Sequence, residues 1–344
     1  MLSVRLYYAV KPLLPRKLQL TLRKTRIKRM LPSYRNVWPV YQEAGKTPRG
    51  WAGWPEKKKF ALLLTHDVES IKGRDRCERV MDVEEQLGFR SAFYFVPRGY
   101  AVSPELRRHI VSRGFEVGVH GLEHDGKLYN TKRGFKKKST EINKYLKEWN
   151  SHGFSSPCML HHLEWTLDLN IKYDISTYDT DPFEPQGGCI GTIFPFCVQG
   201  SSNGTYYVEI PYTLPQDFTL FILMEETSID IWVKKLDWIV EHGGMVHLKT
   251  HPDYFNFGDG NACAEEYPVN LYTRFLKYIK NKYAGQYWHV LPKDMAQFCS
   301  TGSMNGATRT ILKPSDILCP TCRRLVNQKC ITFFTSFKIN EHAS

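Results

Sequence analysis

Phe60-Ala61-Leu62-Leu63-Leu64-Thr65-His66-Asp67-Val68-Glu69 runs from apolar residues straight into a histidine and two carboxylates. An unbroken apolar run leaves no face for solvent. It therefore predicts a central strand of a parallel sheet, whose C-terminal end opens onto the loops where α/β folds place their chemistry. If the extended geometry continues through the polar end, Asp67 and Glu69 point the same way. Two converging carboxylates repel each other unless a cation or a shared proton lies between them. The competing assignment is a helix N-cap, in which Asp67 or Ser70 accepts from the first turn of the following helix.

Histidines stand at a distance that could complete a site. The next apolar segment, Phe115-Glu116-Val117-Gly118-Val119, ends at His120, and His124 follows within His120-Gly121-Leu122-Glu123-His124-Asp125. Two imidazoles four residues apart share one side of a helical turn. With Glu69 or Asp67 they would form a two-histidine, one-carboxylate set with open positions, suited to Zn²⁺ or another divalent transition ion. In a chain of twelve histidines an H-x-x-x-H pair also arises on solvent-facing helices. The metal reading gains from both fragments ending predicted strands.

These fragments resemble the motifs of the polysaccharide deacetylases of the NodB-homology, carbohydrate esterase type, in the order expected of that family, from about Phe60 to Phe298. The resemblance implies that Asp67 is the catalytic base, that Glu69, His120 and His124 bind the metal, and that His251 is the catalytic acid. The last motif is matched by Gly244-Met245-Val246-His247-Leu248-Lys249-Thr250-His251. The chain is similar above all to members from bacterial surface-polysaccharide loci, through Tyr173-Asp174-Ile175-Ser176-Thr177-Tyr178-Asp179-Thr180-Asp181-Pro182-Phe183-Glu184-Pro185 and Thr250-His251-Pro252-Asp253-Tyr254. The family fold implied is an irregular (β/α) barrel.

One departure bears on catalysis. Family members usually carry an arginine in a Gly-Phe-Arg-Ser-Pro-like third motif, where it holds the catalytic aspartate by a charged hydrogen bond. Here the segment is Gly153-Phe154-Ser155-Ser156-Pro157. Serine cannot replace a bidentate cation, so Asp67 is expected to have a raised pKa, a less fixed rotamer and reduced activity. His161 or His162 could compensate. Glu69 in place of the commoner Asp changes only the reach of the ligand.

The chemistry implied is hydrolysis of an N-acetyl group on a sugar. A divalent ion polarises the amide carbonyl and lowers the pKa of the attacking water. Asp67 would take that water's proton, the metal and backbone N–H groups would hold the oxyanion, and protonated His251 would deliver a proton to the departing amine. His247 is the rival acid, but its place inside the apolar strand marks it as a packed residue.

The remaining pattern alternates strands and helices. Ser91 to Val96, Lys172 to Ile175, Tyr207 to Ile210 and Trp288 to Leu291 read as strands; Pro104 to Arg113, Gly134 to Trp149, Ile229 to His242 and Pro268 to Lys282 read as helices. Such alternation predicts an α/β protein with a parallel sheet, and its element count suits a barrel. No Gly-rich phosphate loop stands at a strand-to-helix turn. Trp165, Tyr178, Phe183, Tyr212, Phe218 and Tyr254 fall near predicted strand ends, where a ring can pack on a pyranose or on the core. Gln216 and Asp217 are candidate hydroxyl contacts.

The expected organisation is a basic extension over 1–55, the barrel over 56–300 and a tail over 301–344. No acidic residue precedes Glu43, while Arg16, Lys17, Arg23, Lys24, Arg26, Lys28 and Arg29 lie among Leu14, Leu18, Leu20 and Leu22. This segment supplies most of the net charge of +12. It reads either as a surface docking on an anionic membrane, where lipid-carried glycan intermediates would be met, or as a helix packed on the barrel. No recognised nucleic-acid-binding module accompanies it, so nucleic acid is not an expected partner. An odd count of nine cysteines without an export signal points to a reducing compartment, hence the cytoplasm or the inner face of its membrane. Cys319-Pro320-Thr321-Cys322, with Cys330 and distant His342, outlines part of a zinc knuckle.

Two functional classes follow. One is a metal-dependent hydrolase that removes an N-acetyl group from an amino sugar, with Zn²⁺ as the first candidate ion and Co, Ni or Mn as others. The second is a catalytically impaired glycan-binding barrel. A related barrel could also hydrolyse another non-peptide C–N bond.

Overall fold

The computed structural model describes residues 14–186, 189–200, 204–258 and 263–301. The cysteine-bearing segment Cys319 to Cys330, with His342, lies outside these. The apolar run and the first polar residues after it form a nine-residue strand, β1 (Phe60–Val68), buried along its whole length, as a central strand of a parallel sheet is. Helix α1 (Arg16–Tyr34) precedes it, and α2 (Ile71–Leu87) follows it directly.

Beyond α2 the chain alternates as expected. Strand β2 is Ala92–Phe95, α3 is Pro104–Ser112, β3 is Glu116–His120, and α4 is Lys132–Glu148. Then come β4 (Gly153–Ser155), short helix α5 (Leu163–Thr166), β5 (Tyr173–Asp174), β6 (Phe196–Gln199) and β7 (Tyr206–Glu209). Helix α6 (Asp230–Glu241) leads to β8 (Met245–Thr250), after which β9 (Phe255–Asn256), β10 (Tyr267–Pro268), α7 (Val269–Lys282), β11 (Tyr287–His289) and α8 (Pro292–Ser300) complete the described chain.

The main sheet has the order β11-β1-β2-β3-β4-β5-β7-β6, with β8 also paired to β1. Every pairing in it is parallel except the β6–β7 hairpin. The sheet curls into a half-barrel whose ends approach each other: the backbone N–H groups of Thr213 and Leu214, just past β7, both donate to the His247 carbonyl of β8, at 3.1 and 3.2 Å. The α/β barrel-like fold expected from the alternation is therefore present, with an antiparallel strand, β6, that the pattern did not announce.

Core formation and site formation are separated along the strands. The interior is filled by Phe60, Leu62, Phe93, Val119, Phe154, Tyr173 and Val246, while the polar residues gather at the C-terminal ends of β1, β3, β4 and β8. Gly118 in β3 is required by this packing, since a Cβ there would lie 2.2 Å from the Tyr94 ring.

Candidate active site

Register brings four strand ends together. Thr65 of β1 is paired with Lys249 of β8, Asp67 with Tyr94 of β2, and His120 of β3 with Ser155 of β4. Glu69 and His124 enter from the loops that follow β1 and β3.

Glu69, His120 and His124 each present a ligand atom, and these atoms lie within 4.8 Å of one another. Their second contacts orient them for a cation. His120 Nδ1 lies 3.0 Å from the Ser155 carbonyl oxygen, which can only accept, so Nδ1 carries the proton. That leaves Nε2 as a buried lone pair with no hydrogen-bond partner, the tautomer a metal requires. Burial also pushes the His120 imidazole down to about 4, keeping it neutral at physiological pH. Glu69 Oε1 sits 3.0 Å from His124 Nε2, and its Oε2 accepts from the Tyr254 hydroxyl at 2.6 Å. Burial works against the Glu69 charge, but His124 outweighs it and keeps the carboxyl well below its ordinary range. A neutral imidazole with an orphaned nitrogen, a second imidazole and an oriented carboxylate suit a borderline divalent ion.

Asp67 is buried beside this set, with Oδ1 3.8 Å from His120 Nδ1. The loss of the third-motif arginine was expected to leave Asp67 without a cation and with a raised pKa. The structure overturns that expectation. Lys249 Nζ donates to Asp67 Oδ2 at 3.0 Å, to Ser155 Oγ at 2.9 Å and to the Ile175 carbonyl at 3.1 Å. Ser155 Oγ in turn donates to Asp67 Oδ2 at 3.1 Å. The cation beside Asp67 comes from β8, and the small Ser155 leaves the room it occupies. Burial pushes the Asp67 carboxyl up, but His120, Lys249 and His251 outweigh it and hold it at about 2. Because His120 is uncharged at neutral pH, Lys249 and His251 are the cations that act there. His161 and His162 give no compensation: the first bonds the Met159 carbonyl, and the second stacks on Trp165.

His251 is held by a partner with no sequence signal. Asp217, fully buried, accepts from the His251 backbone N–H at 2.9 Å and pairs with Nδ1 at 2.7 Å. Burial alone would discharge the imidazole, yet Asp217, with Glu69 and Asp67 behind it, raises it to about 10. Asp217 is thus an orienting group for His251 and not the hydroxyl contact expected of it. His247 has the packed role expected, fully buried with Nε2 2.9 Å from Thr65 Oγ1 and Nδ1 3.1 Å from the Pro211 carbonyl.

The helix-cap alternative for the opening run is also decided. Ser70 is the N-cap of α2 but makes no side-chain cap bond to the helix. It donates instead to Asp253, whose other oxygen accepts from the Glu69 backbone N–H at 3.0 Å, so the turn after β1 is fastened to the turn after β8. Of the aromatic candidates, Phe218 and Tyr254 line the cavity above the site, together with Gln216. Tyr178, Phe183 and Tyr212 are buried, and Trp165 belongs to a ring cluster with Tyr129 and Phe135.

The fold, a curled half-barrel with a ligand set at its strand ends, is shared with known proteins. Residues 55–156 match the family model described as polysaccharide deacetylase, the segment that carries β1 to β4 and the ligand set. A Mycobacterium smegmatis protein assigned as a polysaccharide deacetylase shares the fold with a TM-score of 0.58 at 16% identity, over 78% of this chain and 99% of its own. The PuuE allantoinase aligns with a TM-score of 0.55 at 16% identity, over 76% of this chain and 96% of its own. A Pseudomonas aeruginosa PAO1 protein assigned as a polysaccharide deacetylase aligns at 0.53 and 15% identity, over 72% and 92%. No curated protein matches the chain.

Proposed function

We propose that the protein is a metal-dependent hydrolase that removes an N-acetyl group from an amino sugar of a surface polysaccharide or its precursor. The observation that carries this reading is the convergence of Glu69, His120 and His124 within 4.8 Å beside a carboxylate with its own fixed cation. Glu69, His120 and His124 would hold the ion, which when bound supplies Lewis-acid polarisation of the acetyl carbonyl and an acidified water.

Asp67, ionised at neutral pH, accepts the proton of the attacking water. Lys249 and Ser155 fix Oδ2, which leaves Oδ1, buried and without a hydrogen-bond partner, as the atom able to take it. His251, kept protonated by Asp217, returns a proton to the amine as the C–N bond breaks. Tyr254 holds Glu69 in the orientation needed for ligation. The cation that Lys249 places beside Asp67 supports the hydrolase over an impaired glycan-binding barrel. Action in the cytoplasm on a lipid-carried precursor remains part of the proposal.

The test is acetate release from N-acetylated chito-oligosaccharides by Zn²⁺- or Co²⁺-loaded protein, with and without chelator. Chelator-sensitive release supports the reading. If allantoin or another cyclic amide is hydrolysed while no acetylated sugar is, the substrate class proposed here is wrong although the metal centre stands.

A further inference from the structure

Helix α1 does not stand apart from the barrel. Leu20, Ile27 and Tyr34, spaced by seven residues, are buried, and Arg16 and Arg23, also seven apart, line the cavity that contains Asp67, Glu69, His120 and His124. Seven residues are nearly two helical turns, so each set shares a face. The basic segment read from sequence as a membrane or packing surface thus forms one wall of the site.

The charges on that wall are unequally neutralised. Arg16 is bound through a bidentate contact to Glu265. Arg23 lies over the Phe218 ring, 4.6 Å from its centroid, and makes no ion pair among the described residues. Arg26, three residues on and half-buried, also makes none, and its pKa is lowered by burial and by Arg23. The carboxyls facing them supply only part of the balancing charge. Glu184, which lines the same cavity, accepts from the Tyr212 hydroxyl and from Gln216 Nε2, both at 2.8 Å. Burial and neighbouring Asp181 push Glu184 up to about 8, so at neutral pH it is largely protonated. Asp181 is itself raised by burial to about 6 and is committed to Tyr212 and the Phe183 backbone N–H.

One guanidinium, Arg23, therefore lines the cavity without a committed anion, and Arg26 adds positive charge one turn further along the helix. A guanidinium fork matches a carboxylate or a phosphate in charge and in geometry. Resting on the deacetylase reading of the same site, we propose that the substrate carries an anionic group, a carboxylate or a phosphate, adjoining the acetylated sugar, and that Arg23, supported by Arg26, recognises it. The N-terminal helix is then a specificity element of the site.

The experiment measures equilibrium binding of three probes to metal-loaded protein in an Asp67→Asn background, which silences turnover. The probes are neutral N-acetylchitotetraose, a hyaluronan tetrasaccharide bearing carboxylates, and UDP-N-acetylglucosamine bearing phosphates. The expected result is that one of the charged probes binds about tenfold or more tightly than the neutral one at low salt. That preference should weaken with added salt, collapse in Arg23→Gln and recover in part in Arg23→Lys. Whether the hyaluronan or the nucleotide probe shows it identifies the anion as carboxylate or phosphate. Equal binding of neutral and charged probes, or a preference that survives Arg23→Gln, overturns the proposal. The deacetylase reading is tested separately, by acetate release from the same probes with the wild-type protein, so its failure would be visible while the binding preference still decides the anion site.

Discussion

At the residue scale the position of one cation governs how Asp67 behaves. Lys249 is fully buried, and its ammonium is shared between Asp67, Ser155 and a backbone carbonyl. Removing one member of such a buried pair leaves an uncompensated charge, so Lys249→Met should lower stability by about 3 kcal/mol and abolish acetate release. Unfolding in denaturant and the turnover assay check both effects. Ser155→Arg, which the family comparison suggests as a restoration, is expected to do harm here, because the new guanidinium meets Lys249 in the same buried space. Paired with Lys249→Ala it should recover activity relative to Lys249→Ala alone, and the double-mutant cycle measures that coupling.

The signal for Lys249 was present in the sequence but easily passed over. In a strand, residues two apart share a face, so His247, Lys249 and His251 in an apolar segment announce a polar inward face. Ser155 stands in β4, whereas the cation paired with Asp67 comes from β8, a strand distant in sequence. Asp217 gave no comparable signal. Its role depends on the turn after β7 meeting β8, which no local periodicity encodes.

His251 also sets an expected pH dependence. Its folded pKa is raised to about 10 by Asp217, so its stabilising contribution is complete below the ordinary histidine value near 6.5 and is lost as pH rises toward 10. A bound divalent ion adds positive charge and pulls the value down. The alkaline limb of kcat/KM in the metal-loaded enzyme should therefore fall between those limits, and Asp217→Asn should move it to lower pH. A limb that stays in place in Asp217→Asn would show that His251 is not the proton donor.

At the scale of elements, the site depends on how loops are tied to strand ends. Asp253, in the turn after β8, accepts from Glu69 N–H and from Ser70, and so fixes the start of α2 against β8. Gly73 in the first turn of α2 makes that approach possible, because a Cβ there would lie 2.1 Å from Asp253 Oδ2. Gly73→Ala should displace Asp253 and loosen Glu69, lowering metal affinity about tenfold or more although no ligand is changed; second-sphere losses of that order are usual. Competition with a chromogenic chelator measures it, and an unchanged affinity would count against the tie. Helices α3, α4, α6 and α7 were legible because their apolar periodicity is strong, and β1, β3 and β8 because their apolar runs end in histidines and acids. Short β4 and β6, and the π-helical turn Phe218–Leu223 that carries Phe218 to the cavity, were not, because their conformations are set by neighbours and not by local pattern.

At the scale of the whole molecule, the curled sheet collects residues from strands β1, β3, β4 and β8, and α1 encloses them. The sequence alone left α1 undecided between a membrane surface and the barrel, since a basic amphipathic segment is compatible with either. The barrel holds it through Leu20, Ile27 and Tyr34, while Leu18 and Leu22 remain exposed. No helix among the described residues is long and apolar enough to cross a membrane. The surface pairs that also fasten α1, such as Lys24 with Glu225 at 2.8 Å, contribute little, since an exposed ion pair is typically worth below about 1 kcal/mol.

The central claim is that Glu69, His120 and His124 bind the ion while Asp67 performs the proton transfer. Acetate release per bound metal ion, measured in wild type, Asp67→Asn and Glu69→Ala under identical loading, tests it most directly. The account predicts one ion per chain in both the wild type and Asp67→Asn, with turnover about a hundredfold or more lower in the latter, and loss of both ion and turnover in Glu69→Ala. Full turnover in Asp67→Asn, or an undiminished ion in Glu69→Ala, would contradict it.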